Sequence, residues 1–161
     1  MQRLILLRHG EAEAHAPSRR DLDRALTPLG VAAVSRTANA LAAAGAAPDL
    51  VLLSASVRTR ETWQVAKASF PPSREEVMPE LYNAGMATLM AVANEAEADT
   101  VMIVGHNPGM QGLALDLLAR QGADKATVAR LEARFPPATA VVFRFEDGKP
   151  ELETLLMAGQ V

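Results

Sequence analysis

The order of apolar runs predicts an α/β fold: a three-layer α/β/α sandwich around a mostly parallel central sheet, closed by a C-terminal antiparallel hairpin. Three observations carry this expectation. Residues 4–7 (Leu-Ile-Leu-Leu), 49–53 (Asp-Leu-Val-Leu-Leu) and 100–104 (Thr-Val-Met-Ile-Val) are short apolar runs, too short for surface helices and suited to strands buried on both faces. Amphipathic stripes at helical spacing lie between and after them, the alternation that covers both faces of a parallel sheet. The last part of the chain reads as two strands around Asp147-Gly148, a hairpin turn pair.

Taken in order, the first strand stops on Arg8-His9-Gly10-Glu11, and Gly10 lets the backbone turn without a Cβ. Residues 11–24 are polar and without period, a loop. Thr27 and Pro28 then predict an N-cap and first position of a helix, with Val31, Val34, Ala38, Leu41 and Ala42 as its apolar stripe and Gly45 with Pro48 as its end. The second strand stops on Ser54-Ala55-Ser56, and a helix from Val57 to about Ala68 places Arg58 in its first turn. Pro71-Pro72 breaks the chain before an edge strand over residues 76–81, and Met86, Leu89, Met90 and Ala93 mark a third helix.

The third buried strand ends in Gly105-His106-Asn107-Pro108-Gly109. Asn107 and Pro108 are expected as N-cap and first residue of a helix whose core face is Met110, Leu113, Ala114, Leu117 and Leu118. A short helix around Val128 and Leu131 precedes Pro136-Pro137, and strands over 140–145 and 152–157 form the hairpin. No internal repeat or linker divides the chain, so residues 1–161 are expected to form a single domain, long enough to bury a core without disulfides.

Composition limits the function. With 16 basic and 19 acidic side chains the net charge is -3, which gives no general attraction to nucleic acid or an anionic membrane. The absence of cysteine removes disulfides and thiolate chemistry. No apolar run approaches the ~18–20 residues of a membrane helix, and the four apolar residues before Arg8 lack a signal-peptide pattern, so a cytoplasmic location is expected.

Arg8-His9, Arg58 and His106 all stand at or just after strand ends. Parallel strands would bring them to one sheet edge, where open α/β folds place ligands. Two guanidinium forks match phosphate oxygens, and two imidazoles beside them can divide attack on phosphorus from proton donation. His15 lies in the polar loop without a partner motif, Arg3 and Arg60 read as solvated side chains, and Trp63 reads as packing.

The ordered set Leu-Arg-His-Gly-Glu, Leu-Thr-Pro-Leu-Gly, Ser54-x-x-x-Arg58-x-x-x-Thr62 and Val-Gly-His-Asn-Pro-Gly resembles the signature of the histidine phosphatase superfamily, the phosphoglycerate mutase-like fold. Pro79-Glu80-Leu81 and the small size resemble its compact branch, the SixA-type phosphohistidine phosphatases. The resemblance implies that His9 is the nucleophile and is transiently phosphorylated. It also implies that Arg8, Arg58 and His106 hold the non-bridging oxygens, with no metal or other cofactor. Arg8 and Arg58 would help keep His9 neutral for attack. Gly10 and Arg24 are further candidates for substrate binding.

Asn83 stands where many members of the family carry an acid for an alcohol leaving group, and it is also a candidate substrate contact. Its amide cannot donate a proton as an acid does, and Glu80, next to Leu81 in the expected strand, would face away. This favours a phosphoramidate, whose nitrogen leaves without a strong protein acid. The expected substrate is therefore phosphohistidine on a protein, a histidine phosphotransfer or phosphocarrier domain. The alternatives are a phosphatase of small phosphorylated molecules on the same scaffold and a non-catalytic phosphate- or phosphohistidine-binding module. A metal site on His9 and His106 is disfavoured by the arginines and by the lack of carboxylates at ligand spacing.

Overall fold

A computed structural model describes residues 1–159. The strands are β1 (Arg3–Arg8), β2 (Leu50–Ser54), β3 (Arg74–Met78), β4 (Thr100–Gly105), β5 (Ala140–Glu146) and β6 (Lys149–Leu156). The helices are α1 (Pro28–Ala43), α2 (Val57–Ala66), α3 (Met86–Glu95), α4 (Gly109–Gln121) and α5 (Lys125–Ala133), with short 3-10 turns at Asp21–Asp23, Lys67–Ser69 and Pro79–Leu81. The strands form one sheet in the order β3-β2-β4-β1-β5-β6. β1 to β4 are mutually parallel, and the hairpin of β5 and β6 joins antiparallel to β1. The predicted class is therefore the observed one, a mixed α/β sandwich with an antiparallel C-terminal hairpin.

Alternation along the buried strands builds two cores. Leu4, Leu6, Leu52, Ile103 and Phe143 pack on one face under α3, α4 and α5, through Leu89, Met110, Leu113, Leu117 and Leu131. Ile5, Leu7, Leu53, Met102 and Val104 pack on the other under α1 and α2, through Val34, Ala38, Leu41, Trp63 and Ala66. All four residues of the first apolar run are 0 % exposed, and each contributes about 1.5–3 kcal/mol by leaving water. Such burial pins the register of β1, because a one-residue slip would exchange the two core faces.

Several boundaries differ from the expectation. The edge strand is Arg74–Met78, and residues 79–81 turn as a 3-10 helix instead of continuing it. That edge strand is largely exposed, so Arg-Glu-Glu carries no apolar signal. α2 ends at Ala66 and tightens into the Lys67–Ser69 turn. Thr27 caps α1 as predicted, accepting from the Gly30 N–H, but Val31 faces out and Thr37 joins the buried stripe instead. The N-cap of α4 is Pro108 and not Asn107, with Gly109 the first helical residue. Asn107 still serves the helix start, its side-chain oxygen accepting from the Gln111 N–H at 3.3 Å. The hairpin turns on Asp147 and Gly148, both at positive φ, the backbone a two-residue turn of this kind demands.

Gly10 is required by contact and not by its own φ. A Cβ there would stand 2.8 Å from Val34 Cγ2 and 2.9 Å from the Gly30 carbonyl oxygen, and one on Gly30 would lie 2.2 Å from the Glu11 carbonyl oxygen. The start of α1 thus seats directly on the turn after β1, which explains why its first turn carries a glycine. Among the described residues no helix is long and apolar enough to cross a membrane.

Candidate active site

The sheet order places β4 between β1 and β2, with Arg8 level with Gly105 and Leu53 level with Val104. Their carboxyl ends therefore deliver His9, His106 and Ser54 side by side, and α2 begins just beyond β2 with Arg58 in its first turn. Ser56 caps α2 by accepting from the Thr59 N–H, which fixes where Arg58 leaves the helix. The four residues expected at the strand ends thus lie in one cleft.

His9 is held by its neighbours. Its N–H is 3.1 Å from the Gly105 carbonyl, and its Nδ1 is 2.7 Å from the Gly10 carbonyl oxygen. A carbonyl only accepts, so Nδ1 carries the proton and Nε2 keeps its lone pair. Thr62 receives the Gly10 N–H at 3.0 Å and donates to the Arg58 carbonyl at 2.6 Å, tying the turn to α2. Both polar groups of Gly10 are therefore committed to the protein, and its place in the site is to orient His9.

His106 faces His9 with ring centroids 5.2 Å apart. Arg58 Nη2 lies 3.3 Å from His106 Nδ1, and Ser54 Oγ lies 2.7 Å from Nε2. A guanidinium only donates, so neutral His106 accepts at Nδ1 and donates from Nε2 to Ser54. Burial is the main cause that lowers the His9 pKa to about 4, opposed by the Gly10 hydrogen bond and reinforced by Arg58, Arg8 and Arg24. His106 is lowered to about 3, again first by burial and then by the charges of His9 and Arg58. Both imidazoles are neutral at pH 7. The arginines act in the expected direction on His9, but burial is the larger cause.

Arg8 donates from Nη1 to the Phe135 carbonyl. The Nε–H groups of Arg8 and Arg58 are buried and have no hydrogen-bond acceptor. Leaving a buried donor of this kind unpaired costs free energy, so the cleft holds two cationic donors suited to an anion.

Two side chains that sequence reasoning did not single out complete the wall. Asp21 receives Tyr82 Oη at 2.6 Å and Arg58 Nη2 at 3.0 Å on Oδ2, and Arg24 Nη1 at 2.8 Å on Oδ1. Its backbone carbonyl accepts a second bond from Arg58 at 2.8 Å. These donors, Tyr82 first and then Arg24, hold the carboxyl well below the usual carboxylate range, and the same contact raises the Tyr82 pKa. Tyr82 also stands edge-on to His106, centroids 5.5 Å apart.

Arg24 reaches the cleft through Asp21. Asn83 is exposed with φ of 52°, next to Tyr82, which makes the contacts described. Gly109 positions this corner: a Cβ there would stand 1.9 Å from the Ala84 carbonyl oxygen, so α4 and the turn after Tyr82 touch. No group of three or more His, Cys, Asp or Glu side chains suited to a metal converges among the described residues.

A fold of this topology with paired arginines and histidines at its strand ends defines a class, and comparison with known proteins gives the same one. The chain belongs to the histidine phosphatase superfamily: the family model for its branch 1 matches residues 4–81. A crystal structure of a putative phosphohistidine phosphatase SixA from Agrobacterium tumefaciens is 33% identical, with a TM-score of 0.83 over 97% of both chains. A putative SixA from Nakamurella multipartitia is 28% identical, TM-score 0.80, covering 98% of this chain and 96% of that one. An uncharacterized protein of Mycobacterium tuberculosis is 30% identical over 140 residues, 86% of each chain. These relationships support a phosphatase activity. The fold alone does not choose the substrate, since a putative alpha-ribazole-5'-P phosphatase from Escherichia coli shares it at 16% identity, TM-score 0.70, over 98% of both chains.

Proposed function

We propose that the chain is a phosphohistidine phosphatase that works through a phosphorylated His9. One observation carries this reading: His9 Nδ1 is pinned to the Gly10 carbonyl, which leaves a neutral nucleophilic Nε2 beside half-buried Arg8 and buried Arg58, whose Nε–H groups are buried and unpaired. The phosphoryl group would sit on Arg8 and Arg58, cationic donors fixed before the reaction and therefore effective against the charge of a loose transition state, with the His106 ring, itself bonded to Arg58 and Ser54, beside it. The choice of phosphohistidine rests on the rim. Asp21 is held ionised and Asn83 is an amide, so neither offers an acid to an alcohol leaving group. A phosphohistidine on a phosphotransfer or phosphocarrier domain needs none, and the SixA relatives are named for that substrate class.

A second reading, hydrolysis of a small phosphorylated molecule, is favoured by the cavity of about 550 Å³ beside the cleft, lined by His15, Arg19, Arg20, Asp21 and Arg24 among others. The deciding experiment compares turnover of a phosphohistidine protein, a phosphoserine peptide and p-nitrophenyl phosphate in EDTA. The account expects phosphohistidine to be hydrolysed fastest, with no loss on chelation. Faster hydrolysis of serine or sugar phosphates would replace the substrate, and abolition by EDTA would replace the mechanism.

A further inference from the structure

Asp21 is an odd residue to find at the edge of an anion site, because its negative charge opposes the phosphate that the arginines attract. It is nevertheless firmly held. The loop that carries it is closed at its base by the bridge between Ala12 and Leu26 and by the Glu13 N–H on the Ala25 carbonyl at 2.8 Å. Arg24, Arg58 and Tyr82 then fix the carboxylate itself.

A carboxylate has about four acceptor positions. Two on Oδ2 are taken by Tyr82 and Arg58 and one on Oδ1 by Arg24, which leaves one on Oδ1. The Asp21 side chain is 47% exposed, so an incoming molecule can reach the carboxylate, whereas Arg58 behind it is 5% exposed. Arg58 Nη2 touches both Asp21 Oδ2 and His106 Nδ1, so the carboxylate borders the phosphoryl seat directly.

We propose that Asp21 is the leaving-group contact of this site: its free acceptor receives the ring N–H of a substrate phosphoimidazole and thereby selects phosphohistidine over phosphate esters. This rests on the phosphohistidine reading above and names the residue that enforces it. The substrate enters protonated on the ring nitrogen that is not bonded to phosphorus, a cation that the carboxylate favours. His9 Nε2 forms a bond to phosphorus as the bond from phosphorus to the substrate nitrogen breaks, and that nitrogen keeps the electron pair. The substrate leaves as neutral imidazole with its proton still on the nitrogen facing Asp21, so no proton moves in this step. Phospho-His9 keeps its Nδ1 proton on the Gly10 carbonyl. Water oxygen then bonds to phosphorus, the bond from phosphorus to His9 breaks, and both water protons leave on dihydrogen phosphate. An ester leaving group has no cationic N–H to offer, and beside it the Asp21 charge only repels.

The test is Asp21→Asn, assayed on phosphoimidazole and on p-nitrophenyl phosphate, whose phenolate leaves without a proton. The variant should lose about 10- to 100-fold more in kcat/KM on phosphoimidazole than on p-nitrophenyl phosphate, the scale of a charge-assisted hydrogen bond, any loss common to both substrates reporting the support that Asp21 gives Arg58. Retained p-nitrophenyl phosphate turnover also shows that the variant is folded. An equal loss on both substrates would make Asp21 only a support for Arg58 and overturn the proposal, as would no loss on either. If the unaltered protein hydrolysed p-nitrophenyl phosphate but not phosphoimidazole, the phosphohistidine reading would fail and this one with it.

Discussion

Replacing His9 with alanine is expected to lower turnover of every phosphorylated substrate by about four orders of magnitude or more, the scale on which loss of a covalent nucleophile acts. The loss should fall on kcat, because Arg8 and Arg58 remain to bind the phosphoryl group. Folding should survive, since the His9 side chain is only partly buried and its ring hydrogen bond is to a single carbonyl, that of Gly10. Steady-state kinetics with a thermal melt on the same sample check both points. A His9→Ala protein with more than about a hundredth of normal activity would remove His9 from the chemistry.

Arg58→Ala carries the second large effect, an expected loss of about 10²–10³ in kcat, as for removal of a fixed charge-stabilising donor. The reason is the number of groups that one side chain organises. Its guanidinium reaches the Asp21 carbonyl, the Asp21 carboxylate and His106 Nδ1, while its Nε–H remains buried without an acceptor. Arg58→Lys should recover only a minor part, because one ammonium cannot span three partners that a planar fork meets together. Full activity in the lysine variant, measured as kcat, would show that charge alone suffices and that the fork is irrelevant.

The parts of this molecule that were legible in the sequence are those where one local rule governs the outcome. β1, β2 and β4 are buried on both faces, so their apolar runs are unbroken, and α1 declares itself through Thr27, Pro28 and Gly45. Arg8, His9, Arg58 and His106 could be placed because each directly follows or ends such an element, and parallel pairing then brings them together. β3 was less legible because its Arg-Glu-Glu run is exposed at the sheet edge and carries no burial pattern. The start of α4 was misplaced by one residue because either Asn107 or Pro108 fits the same local rule.

Asp21 and Tyr82 were illegible for a different reason. Asp21 lies in a loop without period, and only closure of that loop at Ala12 and Leu26 brings it to Arg58. Tyr82 follows a 3-10 turn that reads equally well as the end of a strand, and its position depends on Gly109 admitting the Ala84 carbonyl. The weak signals available were the clustered charge of Asp21-Leu22-Asp23-Arg24 and the fact that Tyr82 is the chain's one tyrosine. The main cause of His9 neutrality belongs with these: the sequence showed the arginines that favour it, but the larger cause is burial, a property of the assembled cleft.

The central claim is that phosphate passes through His9, and the direct measurement is isolation of that intermediate. The protein is mixed with a labelled phosphohistidine substrate, quenched in alkali within the first turnover, and the labelled residue located by mass spectrometry. The account predicts one phosphoryl group on His9, stable in alkali and lost in acid, forming and decaying fast enough to carry turnover. Turnover without a phosphorylated intermediate, or with the label on any residue other than His9, would contradict it.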